Sequence, residues 1–186
     1  MKAKAWFHNR IVAALVSLLL AVPPAFADSA RLDELFQRLQ NTDDVGAQQI
    51  EAEIWSEWSK SGSPAMDLLL ERGRSAMQAG DFVGAIGQFT AVIDHAPDFA
   101  EAYNERATAY YQSGKLGPSI ADLRMTLRLN PRHFGALTGL AIIFEDIDQP
   151  EKALEVYKAA LVLQPHLPEV KSAVARIETA LQGKDL

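Results

Sequence analysis

Pro97, Pro131 and Pro165 stand 34 residues apart, and the residues between them repeat with the same period. A fixed period of this size is typical of helical solenoids, in which each unit buries its apolar face only by stacking on its neighbours. Such a fold presents an extended binding surface. The period therefore favours a protein that binds a partner over one that catalyses a reaction.

Aligning the three units on their prolines places residues of similar size in the same columns. Small residues, which let helices approach closely, fill two columns: Gly73, Ala107 and Ala141, and Ala85, Ser119 and Ala153. Mostly large apolar residues, which fill the space between helices, occupy others, among them Phe89, Leu123 and Tyr157. Midway through the units lie the turn residues Gly80-Asp81, Gly114-Lys115 and Asp148-Gln149. Each unit is thus predicted to be two helices joined by a short turn.

These columns and closing prolines resemble those of the tetratricopeptide repeat (TPR) family, whose 34-residue pattern is matched at most positions in all three units. The resemblance implies an all-α, right-handed α-solenoid of helix-turn-helix repeats. Three repeats are predicted within residues 63–165, at about 66–99, 100–133 and 134–167. The chain departs from the family pattern at the usual Trp, which is replaced by Leu69, Tyr103 and Leu137, and at Ser119, which replaces a usual Ala. We expect only local adjustment there.

Amphipathic stretches flank the repeats on both sides. In residues 28–62, apolar residues at helical spacing predict an N-terminal helical hairpin: Leu32, Leu35, Phe36, Leu39, Ile50, Ile54 and Trp58. Residues 166–186 carry one apolar stripe and predict a C-terminal capping helix and tail. The sequence leaves open whether Trp55 and Trp58 of the hairpin belong to the core or to an aromatic interface.

The first 27 residues have the pattern of a secretory signal peptide. Three basic residues precede an uncharged, mostly apolar run at residues 11–22, and Ala25-Phe26-Ala27 follows as a cleavage pattern. The run is 12 residues long, whereas a helix that crosses a bilayer needs about 20. We therefore expect a bacterial export signal and a periplasmic protein that has no membrane span once the signal is removed. An uncleaved anchor and eukaryotic secretion are the alternatives.

Charge and composition disfavour several classes of function. Without residues 1–27 the chain has 15 basic and 24 acidic residues, a net charge of −9, which argues against nucleic acid as a partner. The sequence contains no Cys and no nucleotide-binding or hydrolase motif. His95, His133 and His166 lie about one repeat apart and are not expected to converge on a metal. We therefore expect no enzyme activity, no catalytic residue, no metal and no cofactor.

The resemblance implies that the first helix of each repeat lines a concave groove in which a partner binds. The expected partner-binding residues are Asp67, Leu70, Arg74, Met77, Gln78, Glu101, Asn104, Thr108, Tyr111, Gln112, Thr138, Ile142 and Glu145. Tyr111 is the main candidate for a peptide anchor, because its neighbour Tyr110 fills a core column and Tyr111 must face elsewhere. The alternative is that Tyr111 packs between adjacent first helices.

Chaperone-binding members of the family hold a C-terminal carboxylate with a clamp of Lys, Arg and Asn. The matching positions here are Leu70, Arg74, Glu105, Gly135 and Gly139. Because only Arg74 has suitable chemistry, such a clamp is not expected.

The sequence thus predicts an exported protein-interaction module that binds a peptide segment or a protein partner in its concave groove. The alternative is a structural assembly subunit of a cell-envelope complex, or a homo-oligomer, that docks through its terminal helices. The identity of the partner and the oligomeric state do not follow from any motif.

Overall fold

A computed structural model describes residues 24–183, and this part of the chain consists of nine α-helices without a β-strand. In chain order the helices are α1 (Pro24–Gln40), α2 (Asp44–Trp58), α3 (Pro64–Gln78), α4 (Phe82–His95), α5 (Ala100–Gln112), α6 (Leu116–Leu129), α7 (Phe134–Asp146), α8 (Pro150–Leu163) and α9 (Pro168–Gln182). The predicted all-α architecture is confirmed. Most of the predicted signal peptide, residues 1–23, lies outside the described residues. Within residues 24–183, no helix has both the length and the apolar character needed to cross a membrane.

The repeats form three helix pairs, α3–α4, α5–α6 and α7–α8, and each pair turns in the same way. At the turn Gly80, Gly114 and Asp148 have φ angles of 74°, 75° and 55°. The residue after each of them donates its backbone N–H to the carbonyl five residues earlier, over 2.8–2.9 Å. This is the Schellman closure of a helix end. The predicted helix-turn-helix unit therefore ends its first helix identically in all three copies.

The small-residue columns lie where helices approach each other most closely. Four of their alanines are fully buried: Ala85, Ala107, Ala141 and Ala153. A Cβ added to Gly73 would lie 2.3 Å from Cε1 of Phe89, so this contact requires glycine. Ser119, which departs from the family pattern, is buried and donates its hydroxyl to the carbonyl of Ala107 over 2.8 Å. The adjustment at Ser119 is local.

Helix α9 covers the end of the last repeat. Val170 and Ile177 are buried in one cluster with Ala153 and Tyr157 of α8. The remaining faces of α9 carry its charged residues, among them Glu178, which pairs with Lys158 over 2.6 Å. The last repeat thereby buries its apolar side without a further repeat.

The α1–α2 hairpin does not simply extend the stack before the first repeat. Its core is formed by Leu35, Phe36, Leu39, Ile50, Ile54 and Trp58, and it closes on Phe134 at the start of α7. Leu163, at the end of α8, packs against the same cluster. The hairpin therefore lies against the connections between the later repeats, and this position shapes the concave surface.

Candidate functional site

Helix α2 lies across the repeats and forms one wall of the concave surface. Its contacts follow the repeats in reverse order, from the start of α9 to α3. The contacts, in order along α2, pair Asp44 with His166, Glu51 with Gln164, Trp58 with His133 and, just after the helix, Ser59 with Arg74. The rings of Trp58 and His133 stack with their centroids 4.3 Å apart. These contacts hold α2 across the groove.

Trp55 also lies on this wall, and its ring has room there only because the residue opposite is a glycine. A Cβ added to Gly135 of α7 would lie 2.5 Å from Cη2 of Trp55. The indole is braced edge-on by Trp58, with ring centroids 5.2 Å apart, and its Nε1 donates to Glu51 over 3.3 Å. Trp55 is therefore a positioned aromatic surface rather than a loose side chain.

A half-open cavity of about 370 Å³ lies between α2, α5 and α7. Its lining is mostly apolar and includes Trp55, Leu123, Phe134 and Ile143. Six of the predicted groove residues surround it: Asn104, Thr108, Tyr111, Gln112, Thr138 and Ile142. Gly139 leaves room along α7, since a Cβ there would meet only Leu123, at 3.6 Å. The structure thus brings about half of the predicted groove residues into one concave site.

Tyr111 joins two walls of the cavity. Its hydroxyl donates to Oδ2 of Asp146 over 2.8 Å and so links α5 to α7. This hydrogen bond to a carboxylate is the main cause that raises the pKa of Tyr111. The hydrogen bond of the hydroxyl agrees with the alternative that Tyr111 packs between adjacent first helices. The ring of Tyr111 nevertheless lines the cavity and is available to a ligand.

A second depression, which we call the acidic trough, shares Trp55 and Asn104 with the cavity. Its charged lining residues are Lys60, Asp67, Glu71, Arg74, Glu101 and Glu105. The Arg74 guanidinium contacts three carboxylates, those of Glu71 at 2.8 Å, Glu101 at 2.9 Å and Glu105 at 2.5 Å. Arg74, an expected partner-binding residue, is therefore paired within the protein and is not a free cation on the concave surface.

Glu101 is the buried centre of this network. Only 1% of its surface is exposed, and its carboxylate also contacts Nε2 of His133 over 2.9 Å. Nδ1 of His133 accepts the backbone N–H of Ala136 and caps the start of α7, so Nε2 carries the proton donated to Glu101. Glu101 is thus an internal link between α3, α5 and α7, and its predicted place in the open groove is corrected. Burial and the neighbouring Glu101 carboxylate raise the pKa of Glu105.

Leu70 and Met77 lie in the core rather than in the groove. Leu70 is 1% exposed, and Met77 packs against the same cluster around Phe89. Both lie three or four residues from Gly73, and residues at this spacing share one face of a helix. The buried face of α3 is therefore wider than the sequence columns indicate.

The remaining predicted groove residues have other surroundings. Glu145 faces α8 and α9, where it accepts the Tyr157 hydroxyl over 2.8 Å and pairs with Arg176 over 2.7 Å. Asp67 accepts both the backbone N–H and the hydroxyl of Ser61 at the edge of the acidic trough. Gln78 is exposed at the end of α3. Glu145 is thus corrected to a position outside the concave site.

Several contributors to the site were not predicted: Glu51, His133 and Phe134. The repeat pattern did not single out Phe134, because the same column holds Met66, Ala100 and Pro168 in the other units and is not uniformly small. The sequence left open whether the two hairpin tryptophans belong to the core or to an interface. In the structure Trp58 is buried in the core and Trp55 lines the cavity.

The chemistry of the site suits binding. Within the described residues 24–183, no group of three or more His, Asp or Glu side chains is arranged to hold a metal ion. The cavity offers apolar contact and the amide groups of Asn104 and Gln112, which both donate and accept. Such a concave, mostly apolar site with a few polar groups is typical of ligand-binding surfaces.

Comparison with known proteins identifies repeats of the same kind. The tetratricopeptide repeat family profile matches residues 70–125 and 119–168, which together span more than half of the chain. A TPR repeat-containing protein of Rhizobium etli is 34% identical over 154 residues, which are 82% of this chain and 76% of that protein. Human sperm-associated antigen 1 is 27% identical over 125 residues, which are 63% of this chain but 14% of that protein.

Solved structures show the same fold. The first TPR domain of Spaghetti (RPAP3), bound to an HSP90 peptide, superposes with a TM-score of 0.60 at 24% identity, covering 63% of this chain and 93% of that domain. The Sgt2 TPR domain from Aspergillus fumigatus has a TM-score of 0.61 at 21% identity, covering 66% of this chain and 83% of that domain. About a third of this chain therefore lies outside each superposition.

Proposed function

This chain belongs to the tetratricopeptide repeat family, and on that premise we propose that the cavity between α2, α5 and α7 binds a peptide segment of a partner protein. The observation that carries the proposal is the apolar cavity itself, which is walled by Trp55 and Tyr111 and edged by the amides of Asn104 and Gln112. Aromatic side chains on a rigid frame contribute large contact area at low entropic cost, and peptide backbones need groups that donate and accept. The RPAP3 domain bound to a peptide supports this kind of ligand for the fold.

The function is binding rather than catalysis, and the proposed setting is the bacterial periplasm. The export pattern in residues 1–27 supports that setting. Docking through the terminal helices, as in an assembly subunit, is the competing function, and it would not use the cavity.

Substitutions at Gly139 separate these functions. Gly139→Phe places a ring in the cavity and should abolish binding there, whereas Gly139→Ala adds a methyl group in ordinary contact with Leu123, at 3.6 Å. Replacing glycine by alanine within a helix also stabilises it by roughly 0.5–1 kcal/mol. The alanine variant is therefore a folded, matched control.

The measurement is photo-crosslinking in cells from a benzoylphenylalanine placed at Gln112, which is exposed and leaves the Tyr111–Asp146 hydrogen bond intact. Mass spectrometry of the adduct should locate a partner segment with the native chain and with Gly139→Ala. The adduct should be lost with Gly139→Phe while helical circular dichroism is kept. An adduct that persists in Gly139→Phe would reject the cavity as the binding site and favour docking through the terminal helices.

A further inference from the structure

We propose that the segment bound in the cavity carries a basic side chain next to its apolar one, so that a Lys or Arg enters the acidic trough while the apolar side chain fills the cavity. This inference rests on the proposed function and specifies its ligand. The cavity and the acidic trough share Trp55 and Asn104. A single short segment can therefore occupy both.

The acidic trough carries more negative than positive charge. Its lining includes the four carboxylates of Asp67, Glu71, Glu101 and Glu105 against the two cations of Arg74 and Lys60. Lys60 is also paired, over 2.6 Å, with Glu57 outside this set. The lining therefore has two more carboxylates than cations, and a basic side chain complements it.

The guanidinium of Arg74, which lines the trough, is already paired with acidic side chains. Arg74 contacts Glu71, Glu101 and Glu105 at once, so it has little capacity left for an anionic ligand. The carboxyl of Glu105 has its pKa raised by burial and by the Glu101 charge, which is the response expected where negative charge is in excess. An incoming cation would relieve this repulsion, and an anion would add to it.

Trp55 supplies the surface between the two depressions. Its indole is braced by Trp58 and by the hydrogen bond to Glu51. A cation within about 6 Å of an indole face is attracted to it, and the aliphatic part of Lys or Arg packs on apolar surface while the charge stays solvated. A basic side chain lying along Trp55 can therefore contact the indole ring and pair with the carboxylates of the acidic trough. An acidic side chain in the same place would be repelled by the ring face and by the carboxylates.

The test uses the full chain and three blocked octapeptides with a central Leu-Phe pair, followed by two Lys, two Gln or two Glu. Isothermal titration calorimetry at low salt should give the tightest binding for the Lys peptide, about tenfold tighter than for the Gln peptide, and the weakest for the Glu peptide. The difference should shrink as salt screens the charges. Lys-peptide binding should also strengthen as the pH rises and Glu105 ionises.

Glu105→Gln should reduce the preference for the Lys peptide over the Gln peptide at least threefold. Glu151→Gln changes the net charge equally on an exposed part of α8 and should leave the preference unchanged. Equal binding of all three peptides, abolished by Gly139→Phe, would overturn the charge inference and leave peptide binding intact. A full Lys preference in folded Glu105→Gln would overturn the trough as its source, and binding of none of the peptides would count against both proposals.

Discussion

Asp148 occupies in the third repeat the turn position that Gly80 and Gly114 occupy in the first two. Its φ angle is 55°, in the left-handed region, and the hydrogen bond that closes the helix is the same as in the other turns. A residue with a Cβ is disfavoured in this conformation, although Asp tolerates it better than most. The third turn is therefore the least favourable of three equivalent turns.

Replacing this residue by glycine should stabilise the protein. Asp148→Gly removes the Cβ penalty and should raise the free energy of unfolding by about 1 kcal/mol, which raises the melting temperature by about 2–4 °C for a chain of this size. Thermal unfolding followed by circular dichroism measures the change. Gly114→Asp is the reciprocal control and should lower the melting temperature by a similar amount. A lower melting temperature for Asp148→Gly would show that the Asp148 side chain contributes more than its backbone conformation costs.

At the scale of the helices, the α1–α2 hairpin depends on a residue of the repeats. Phe134 packs against the rings of Phe36, Trp55 and Trp58, with centroid distances of 6.4, 5.5 and 5.0 Å. Ion pairs and hydrogen bonds such as Arg132 with Asp33 lie at the edge of this contact. Exposed pairs contribute little to stability, so the aromatic contact supplies most of the docking energy.

Phe134→Ala should detach the hairpin while the repeats stay folded. Loss of a buried phenylalanine costs about 3–5 kcal/mol, and here the cost falls on the contact between the hairpin and α7. Hydrogen exchange measured by mass spectrometry should show lost protection in α1 and α2 and retained protection in α3–α6. Phe144→Ala, in the part of α7 that packs against α8 and α9, is the control and should leave hairpin protection in place. Equal loss of protection throughout the chain would mean that the hairpin and the repeats unfold as one unit.

For the whole molecule, the predicted export signal and the folded part overlap by a few residues. Helix α1 begins at Pro24, whereas the predicted cleavage follows Ala27. The buried residues of the hairpin start at Leu35, with Leu32 packed against them, so cleavage there leaves the hairpin core complete. The mature chain would then be a folded acidic protein of net charge −9.

Export should therefore yield a stable product that begins at Asp28. Mass spectrometry of the periplasmic fraction of the producing bacterium should find this N-terminus, and the product should keep the helical content of the full chain. Ala27→Phe, which places a bulky residue in the cleavage pattern, should leave the signal attached and the chain in the membrane fraction. An unprocessed native chain in the membrane fraction would instead support the uncleaved anchor.

Much of the fold could be predicted because the repeat is local. A 34-residue unit specifies its own helices, its turn and the small columns where the helices touch, as Ala107 and Ser119 show. The positive φ of Gly80 and Gly114 likewise follows from a single residue type at a helix end. Half of the candidate site could be predicted for the same reason, since Asn104, Thr108 and Tyr111 lie on one face of α5.

The other half depends on contacts between parts of the chain that the period does not relate. An apolar stripe on α2 shows that Ile50 and Ile54 are buried, but not that they pack around Phe134, 80 or more residues away. The pairing of Arg74 with Glu101 and Glu105 likewise requires the distance between α3 and α5. The repeat pattern thus specified how each unit folds, because its information lies within 34 residues. Where the hairpin docks, and hence which charges and aromatic rings line the groove, followed from long-range packing, because each amphipathic face fits several partners and the best fit is settled only in three dimensions.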